Sequence, residues 1–309
     1  TLLTSPGQLP AHPVIIGTLG QSAWIDRLAA DGKIPAAEIR GRWEAHLATV
    51  VQDPFPGIDS ALVLAGADRR GTAYAVFDLS RKLGVSPWIW WADVVPAPRP
   101  EIHLAPGLDL APSPAVKYRG IFLNDEDWGL QPWAAKQTDP EVKDIGPKTY
   151  AKIFELLLRL HANALWPAMH PCTKAFFHYP GNAQAANDYA IVVGSSHCEP
   201  MLRNNVFEWK ENYLAEYGQK PGAWDFLANR DSVLRYWEDR IRQTADMEVI
   251  YTLGMRGIHD SPMAGPKSAA DRAKVLADIL AMQRRLLAKH KSGPVESVPQ
   301  IFCPYKEVL

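Results

Sequence analysis

The sequence predicts an α/β protein: a small N-terminal α/β domain followed by a (β/α)8 TIM-type barrel, of which about five strand–helix units are present. Three observations carry this reading. Short apolar runs alternate with segments of helical period along all 309 residues, with no internal repeat or charge block. The stretch VVPAPRPEIHLAPGLDLAPSP, from about Val94 to Pro114, is loaded with proline, which removes backbone donors and breaks both element types. Beyond it, a strand signal followed by a helix signal recurs in series. These observations place an α/β domain at residues 1–114 and the N-terminal part of a catalytic barrel at residues 115–309.

In the first domain Val14 to Thr18 reads as a strand, and Ser22 is suited to cap a short helix through Arg27. A second helix is expected from about Pro35 to Val51, with Ile39, Trp43, Leu47 and Val50 on one face. Ala61 to Ala65 is a fully apolar strand. A helix starting at Gly71 is expected to turn Ala73, Val76, Phe77 and Ser80 inward and to end at Gly84. Trp88, Trp90 and Trp91 alternate in a strand-like stretch and are expected to pack against the barrel.

In the second domain Val116 to Leu123 is the first strand, and Pro147 opens a helix carrying Tyr150, Ile153, Phe154, Leu157 and Leu158. Ala164 to Ala168 and Ile191 to Ser195 are the next strands. A helix from about Met201 to Tyr213 follows, then one capped by Asp231 with Val233, Tyr236, Trp237 and Ile241 inward. Val249 to Met255 is strand four, Ser268 to His290 a long helix, and Pro299 to Pro304 strand five. A barrel needs eight strands and roughly 250 residues. The natural protein is therefore expected to continue past Leu309, or to have residues missing from this chain.

Composition excludes several function classes. With 33 Lys and Arg against 34 Asp and Glu, the net charge of -1 gives no general basic footprint for nucleic acid. No apolar run reaches the roughly 18 residues of a membrane span, and no signal peptide is visible at residue 1. Cys172, Cys198 and Cys303 make neither a disulfide framework nor a metal ribbon. Dinucleotide, phosphate-loop and nucleophile-elbow motifs are absent, so no cofactor is expected. Eleven Trp residues offer flat amphipathic rings of the kind that stack on sugars, or simply fill a core.

Barrel enzymes carry their chemistry at the C-terminal ends of the strands. Strand one runs into Asn124, Asp125, Glu126 and Asp127, and strand two into Trp166, Met169 and His170. Strand three leads to Ser195, Ser196, His197 and Glu199, strand four to Arg256, His259 and Asp260, and strand five to Tyr305, Lys306 and Glu307. Any one Asp here also suits a helix cap or turn, and any one His a hydrogen-bonded loop; the argument is the convergence. His170, His197 and His259 with Cys172, Cys198 and Glu199 would be the ligands of a zinc hydrolase, although their spacing is not that of known zinc motifs. Several carboxylates, aromatic platforms and an Arg for an anionic group fit glycoside hydrolysis, which needs one protonated and one ionised carboxyl.

The stretches GTLGQSAWIDRL, GADRRGTAYAVFDLSRKLGVSPWIWWADV, YRGIFLNDEDWGLQPWA, TYAKIFELLLRLHANALWPAMH, GSSHCEPMLRNN, TLGMRGIHDSPM and IFCPYKEV resemble glycoside hydrolase family 115, the xylan α-1,2-glucuronidases. The resemblance runs in register from about Val14 to Leu309. It implies release of 4-O-methyl-D-glucuronic acid or glucuronic acid from α-1,2-decorated glucuronoxylan or xylo-oligosaccharides, with inversion at the anomeric carbon. It also implies further helical and β-sandwich domains, through which any homodimer would form, and a secreted or periplasmic location.

Carried over by motif, the resemblance implies Glu307 as general acid and Asp260 as general base, a pair whose roles are open to exchange. Arg256 would support the uronate or the base. Asn124, Asp125 and Glu126 would line the sugar pocket with Trp166, His259 and Lys306. His197 and Glu199 would bind hydroxyls or orient their neighbours. The chain carries Gly257, Ile258 and His259 where the family often has a more acidic or Gly-containing stretch, and the family keeps a further acidic motif downstream. The competing readings are a non-catalytic uronate- or carbohydrate-binding protein and a metal-dependent barrel hydrolase.

Overall fold

The computed structural model describes residues 10–124, 126–258 and 260–305. The chain divides into two compact units, Thr1–Arg119 with Glu155–Asn163, and Gly120–Phe154 with Ala164–Leu309. The first unit contains β1 (Val14–Thr18), α1 (Ala23–Ala30), β2 (His46–Gln52), β3 (Ser60–Gly66), α2 (Arg69–Lys82) and β4 (Leu108–Ala111). Its sheet has the order β1-β3-β2-β4, with β1 parallel to β3 and β2 antiparallel to both β3 and β4. Strand alternation sends Ile15, Leu47, Val51, Ala61, Val63 and Ala65 to one face, where they form a buried core with Ile25 and Leu28 of α1 and with Ile34 and Ile39. Ala48, Val50, Leu62 and Leu64 instead line, with Ala75 and Leu79 of α2, a cavity of about 840 Å3.

The expected helix from Pro35 to Val51 is not formed. A short turn at Ala36–Glu38 is followed by Gly41 and Glu44 at positive φ, and then by β2. Tertiary contacts override the helical period. The β-branched run Thr49-Val50-Val51 pairs with β3, and Thr49 pairs with β4 as well. Glu44 is held in its left-handed conformation by Arg70 Nε at 2.8 Å, Arg119 Nη2 at 2.5 Å and Asn163 Nδ2 at 2.5 Å. Asp68 caps α2 by accepting from Gly71 N at 2.8 Å, and the helix buries Gly71, Tyr74 and Ala75 rather than the expected face of Ala73, Val76, Phe77 and Ser80. Gly84 follows it at φ +94°, as expected of a helix stop. The tryptophan cluster lies in a turn and not a strand, where Trp90 Nε1 donates to Glu155 at 2.9 Å. The proline-rich stretch supplies β4, which among the described residues is an edge strand paired only with β2, where flanking prolines are tolerated.

The second unit carries β5 (Gly120–Phe122), α3 (Leu130–Trp133), the start of α4 (Pro147–Arg159), whose residues from Glu155 on belong to the first unit, β6 (Ala164–Trp166), α5 (Pro180–Asp188) and β7 (Val192–Val193). It continues with α6 (Tyr213–Tyr217), α7 (Arg230–Gln243), β8 (Tyr251–Leu253), α8 (Ala269–His290) and β9 (Gln300–Phe302). Strands β5, β6 and β7 are parallel neighbours, as are β8 and β9. A parallel bridge between Val193 and Val249, with Ile250 N donating to Val193 O at 2.9 Å, links the two sets. Five parallel strands thus follow in chain order. Among the described residues they do not close on themselves, so the observed class is α/β and not a closed barrel.

The expected helix from Met201 to Tyr213 is broken. Met201 and Leu202 sit at φ 57° and 58°, and a π-turn at Glu208–Asn212 precedes the short α6. The interruption places a buried charge cluster. Glu208, 2% exposed, accepts from Arg203 Nη1 at 2.5 Å and pairs with Arg240 of α7. Asn229, not Asp231, stands at the N-cap of α7, whose buried face is the expected Val233, Tyr236, Trp237 and Ile241. Ser268 caps α8 by accepting from Asp271 N at 3.1 Å. No helix among the described residues is long and apolar enough to cross a membrane.

Candidate active site

The ends of all five parallel strands of the second unit are joined by side-chain contacts. After β5, Glu126 is buried and its Oε1 accepts from the backbone N–H groups of Met169 and His170, at 2.7 and 2.6 Å, in the segment after β6. His170 Nδ1 lies 3.5 Å from Asp127 Oδ1. Met169 Sδ receives Ser196 Oγ at 3.3 Å, and Ser196 Oγ accepts from Cys198 N at 3.2 Å in the segment after β7. Cys198 Sγ accepts from Arg256 Nη1 at 3.1 Å after β8, and Arg256 Nη2 reaches Asp260 Oδ1 at 3.0 Å. The His197 ring faces Tyr305, after β9, with centroids 4.4 Å apart and planes inclined by 31°.

Each placement has a local cause. Trp166 meets Phe122 edge to face at 5.5 Å and lies over Gly194, where an added Cβ would come within 2.7 Å of the indole Nε1. Glycine at 194 is what lets the ring sit there. Arg256 is 1% exposed, and its carbonyl accepts from Trp224 Nε1 at 2.8 Å. Gly257 O accepts from Asn205 Nδ2 at 2.9 Å, and Gly257 N donates to Ser261 O at 2.9 Å, closing the turn that presents Asp260. A Cβ at Gly257 would strike Ser261 Oγ at 2.3 Å. Sequence reasoning assigned no role to Trp224 or Asn205. The only signal for Asn205 was its place in GSSHCEPMLRNN; for Trp224 there was none beyond its residue type.

Electrostatics divides the titratable groups. Burial pushes the Glu199 carboxyl up to about 7, against the hydrogen bond that Asn204 Nδ2 donates to it at 3.0 Å. Ser195 Oγ donates to the Glu199 carbonyl at 2.7 Å. Glu199 is therefore enclosed under the strand ends and acts on neighbours, with no exposed carboxylate of its own. Burial also raises the Cys172 and Cys198 thiols to about 11, Cys198 despite the Arg256 guanidinium beside it. Neutral thiols are poor metal ligands and poor nucleophiles, which weighs against the zinc-hydrolase reading for this face. Asp260, by contrast, is 59% exposed at its side chain while its cationic partner is buried.

Of the residues expected from sequence, Glu126, Trp166, His197, Glu199, Arg256 and Asp260 are thus on one connected face. Asn124, exposed, follows β5 on the same side. Asp125, His259, Lys306 and Glu307 lie outside the described residues.

Carboxylates, a buried guanidinium and aromatic rings thus gather at the C-terminal ends of successive parallel strands, the end at which α/β enzymes carry their chemistry. The model of glycosyl hydrolase family 115 matches residues 111–309, and the chain belongs to that family. Among solved structures it is similar to one described as a novel family GH115 4-O-methyl-α-glucuronidase, BtGH115A, with specificity for decorated arabinogalactans. The two are 47% identical with a TM-score of 0.83, over 96% of this chain and 37% of the other. The chain therefore spans little more than a third of that protein's length. No curated protein matches it.

Proposed function

We propose that the protein is an α-glucuronidase that removes 4-O-methyl-D-glucuronic acid or glucuronic acid from decorated polysaccharide by an inverting acid/base mechanism. The observation that carries this reading is the Arg256–Asp260 pair, a buried cation orienting an exposed carboxylate at the same strand ends that carry the His197–Tyr305 ring pair. Asp260 is the general base that activates water, and Glu307 the general acid that protonates the leaving oxygen. Inversion requires their carboxyl groups to stand roughly 6.5–9.5 Å apart, a gap suited to residues after adjacent strands. Asn124, Asp125, Glu126, Trp166, His259 and Lys306 line the sugar pocket, and His197 and Glu199 orient it. The five parallel strands are read as the first part of a (β/α)8 barrel, completed by further sequence. A polymeric substrate fits a secreted or periplasmic enzyme.

The family motifs favour α-1,2-decorated xylan or xylo-oligosaccharide as substrate. The solved relative favours a second reading, decorated arabinogalactan, because that is the specificity it is described with. Incubating the full-length protein with 4-O-methylglucuronic-acid-decorated xylo-oligosaccharides and, separately, with glucuronic-acid-decorated arabinogalactan distinguishes them. Uronic acid released from the first supports xylan; release only from the second moves the substrate to arabinogalactan. Binding of either without product would replace the enzyme by a carbohydrate-binding protein.

A further inference from the structure

Three metal-ligating side chains converge in the first unit. His46 stands at the start of β2, Asp78 lies on α2, and His161 follows α4. Asp78 Oδ2 is 3.0 Å from His46 Nε2, and Asp78 Oδ1 is 2.9 Å from His161 Nε2. The potential donor atoms of the three all lie within 4.8 Å of one another. A tetrahedral zinc ion with bonds of roughly 2.0–2.2 Å separates its ligands by about 3.3 Å, inside that spread.

The surroundings fix the rings as a metal site requires. His46 is buried, and its Nδ1 faces the Glu44 carbonyl at 3.3 Å. An imidazole that donates from Nδ1 to a carbonyl turns the lone pair of Nε2 toward the cluster, the outer contact by which histidine ligands are oriented. The His161 ring stacks on Tyr74, with centroids 4.6 Å apart and planes inclined by 22°, and Tyr74 Oη donates to Ala162 O at 3.2 Å. His161 also takes the left-handed position at the end of α4, at φ +54°, where glycine or asparagine is the usual occupant. A histidine is kept where the backbone favours neither its Cβ nor its bulk. Access is provided by the 840 Å3 cavity, which His46 and Asp78 help to line. A charged neighbour, Arg81, has its Nη2 3.8 Å from Asp78 Oδ1 on a side chain 67% exposed, so it can turn to water, and Lys82, Arg99, Glu101 and Asp109 also line the cavity.

We propose that His46, Asp78 and His161 form a binding site for a borderline divalent transition-metal ion of the zinc class. Two imidazole nitrogens and one carboxylate oxygen supply three ligands, with a fourth position for water or a donor group entering from the cavity. The site is separate from the proposed glucuronidase chemistry and does not depend on it.

The test is a zinc titration of the chelator-treated full-length protein by calorimetry, paired with the visible spectrum of the cobalt-substituted form. One zinc is expected to bind and raise the melting temperature. Asp78→Asn and His161→Asn are expected to weaken that binding by more than roughly a hundredfold, beyond the cost of removing an outer partner, and to abolish the cobalt bands. Asparagine keeps the left-handed backbone at 161, so the second variant is expected to fold normally. Zinc uptake no greater in the wild type than in the two variants would overturn the proposal. So would uptake that persists in both and disappears only when Cys172, Cys198 and Cys303 are replaced by serine.

Discussion

Arg256 Nη2 donates to Asp260 Oδ1 at 3.0 Å, joining a guanidinium that is 1% exposed to a carboxylate that is 59% exposed. The geometry is asymmetric by construction. The guanidinium donates to Cys198 Sγ at 3.1 Å, and Trp224 holds the backbone of Arg256 by donating to its carbonyl, so the cation fixes the carboxylate. Asp260→Asn is therefore expected to lower uronic acid release by at least roughly a thousandfold, as for loss of a general base. Arg256→Lys keeps charge but loses the fork, and a fall of roughly a hundredfold with unchanged melting temperature is expected. Near-wild-type turnover in Asp260→Asn would move the base to another carboxylate.

Glu199 gives a pH-dependent prediction. Its carboxyl is raised by burial to about 7, so the folded state holds its proton to higher pH than the unfolded state does. Its contribution to stability is then harmless below about pH 4 and becomes progressively unfavourable as pH rises toward 7. The full effect is on the order of 3 kcal/mol. Glu199→Gln keeps the acceptor for Asn204 and removes the proton. Urea unfolding should find the variant more stable than wild type at pH 8 and equal to it near pH 4. Equal stability at both would mean that Glu199 is more solvated than its 5% exposure indicates.

The buried cluster around Glu208 should behave in the opposite way. Arg203 and Arg240 both depend on this one carboxylate, although Glu216 also meets Arg203 at 2.8 Å. Glu208→Gln leaves two guanidinium groups under-compensated in the interior, and a loss of about 3–5 kcal/mol is expected in denaturant titration. Because Asn204 N also donates to Glu208 at 3.0 Å, the segment that carries Asn204 and Asn205 should loosen with it.

Gly194→Ala tests the seat of Trp166. The new Cβ would lie 2.7 Å from the indole Nε1 and displace the ring, at a stability cost of about 1–3 kcal/mol. If Trp166 stacks on the sugar, KM should rise more than kcat falls. Unchanged kinetics beside a lowered melting temperature would leave Trp166 a packing residue.

Sequence legibility followed the range of the forces involved. Strands β1 and β3, the apolar face of α7 and the extent of α8 were readable because local pattern decides them. The Pro35–Val51 segment was misread as helix because its outcome rests on partners far along the chain. Arg119 and Asn163 hold Glu44, and β3 and β4 claim His46 to Gln52. The Met201–Tyr213 helix failed for the same reason, since the Arg203–Glu208–Arg240 cluster is invisible to periodicity. The site was legible as a list of strand-end residues. What joins them, Ser196 to Met169 and Cys198 to Arg256, is tertiary geometry that no spacing in the chain encodes.

The most direct measurement is a proton NMR time course of the full-length protein acting on 4-O-methylglucuronic-acid-decorated xylo-oligosaccharide, followed at the anomeric signals of the released acid. If Asp260 activates water opposite the leaving group, as proposed, the β-anomer appears first and the α-anomer only later by mutarotation. The signal should vanish in Asp260→Asn and in Glu307→Gln. First appearance of the α-anomer would establish retention and contradict the paired roles of Asp260 and Glu307.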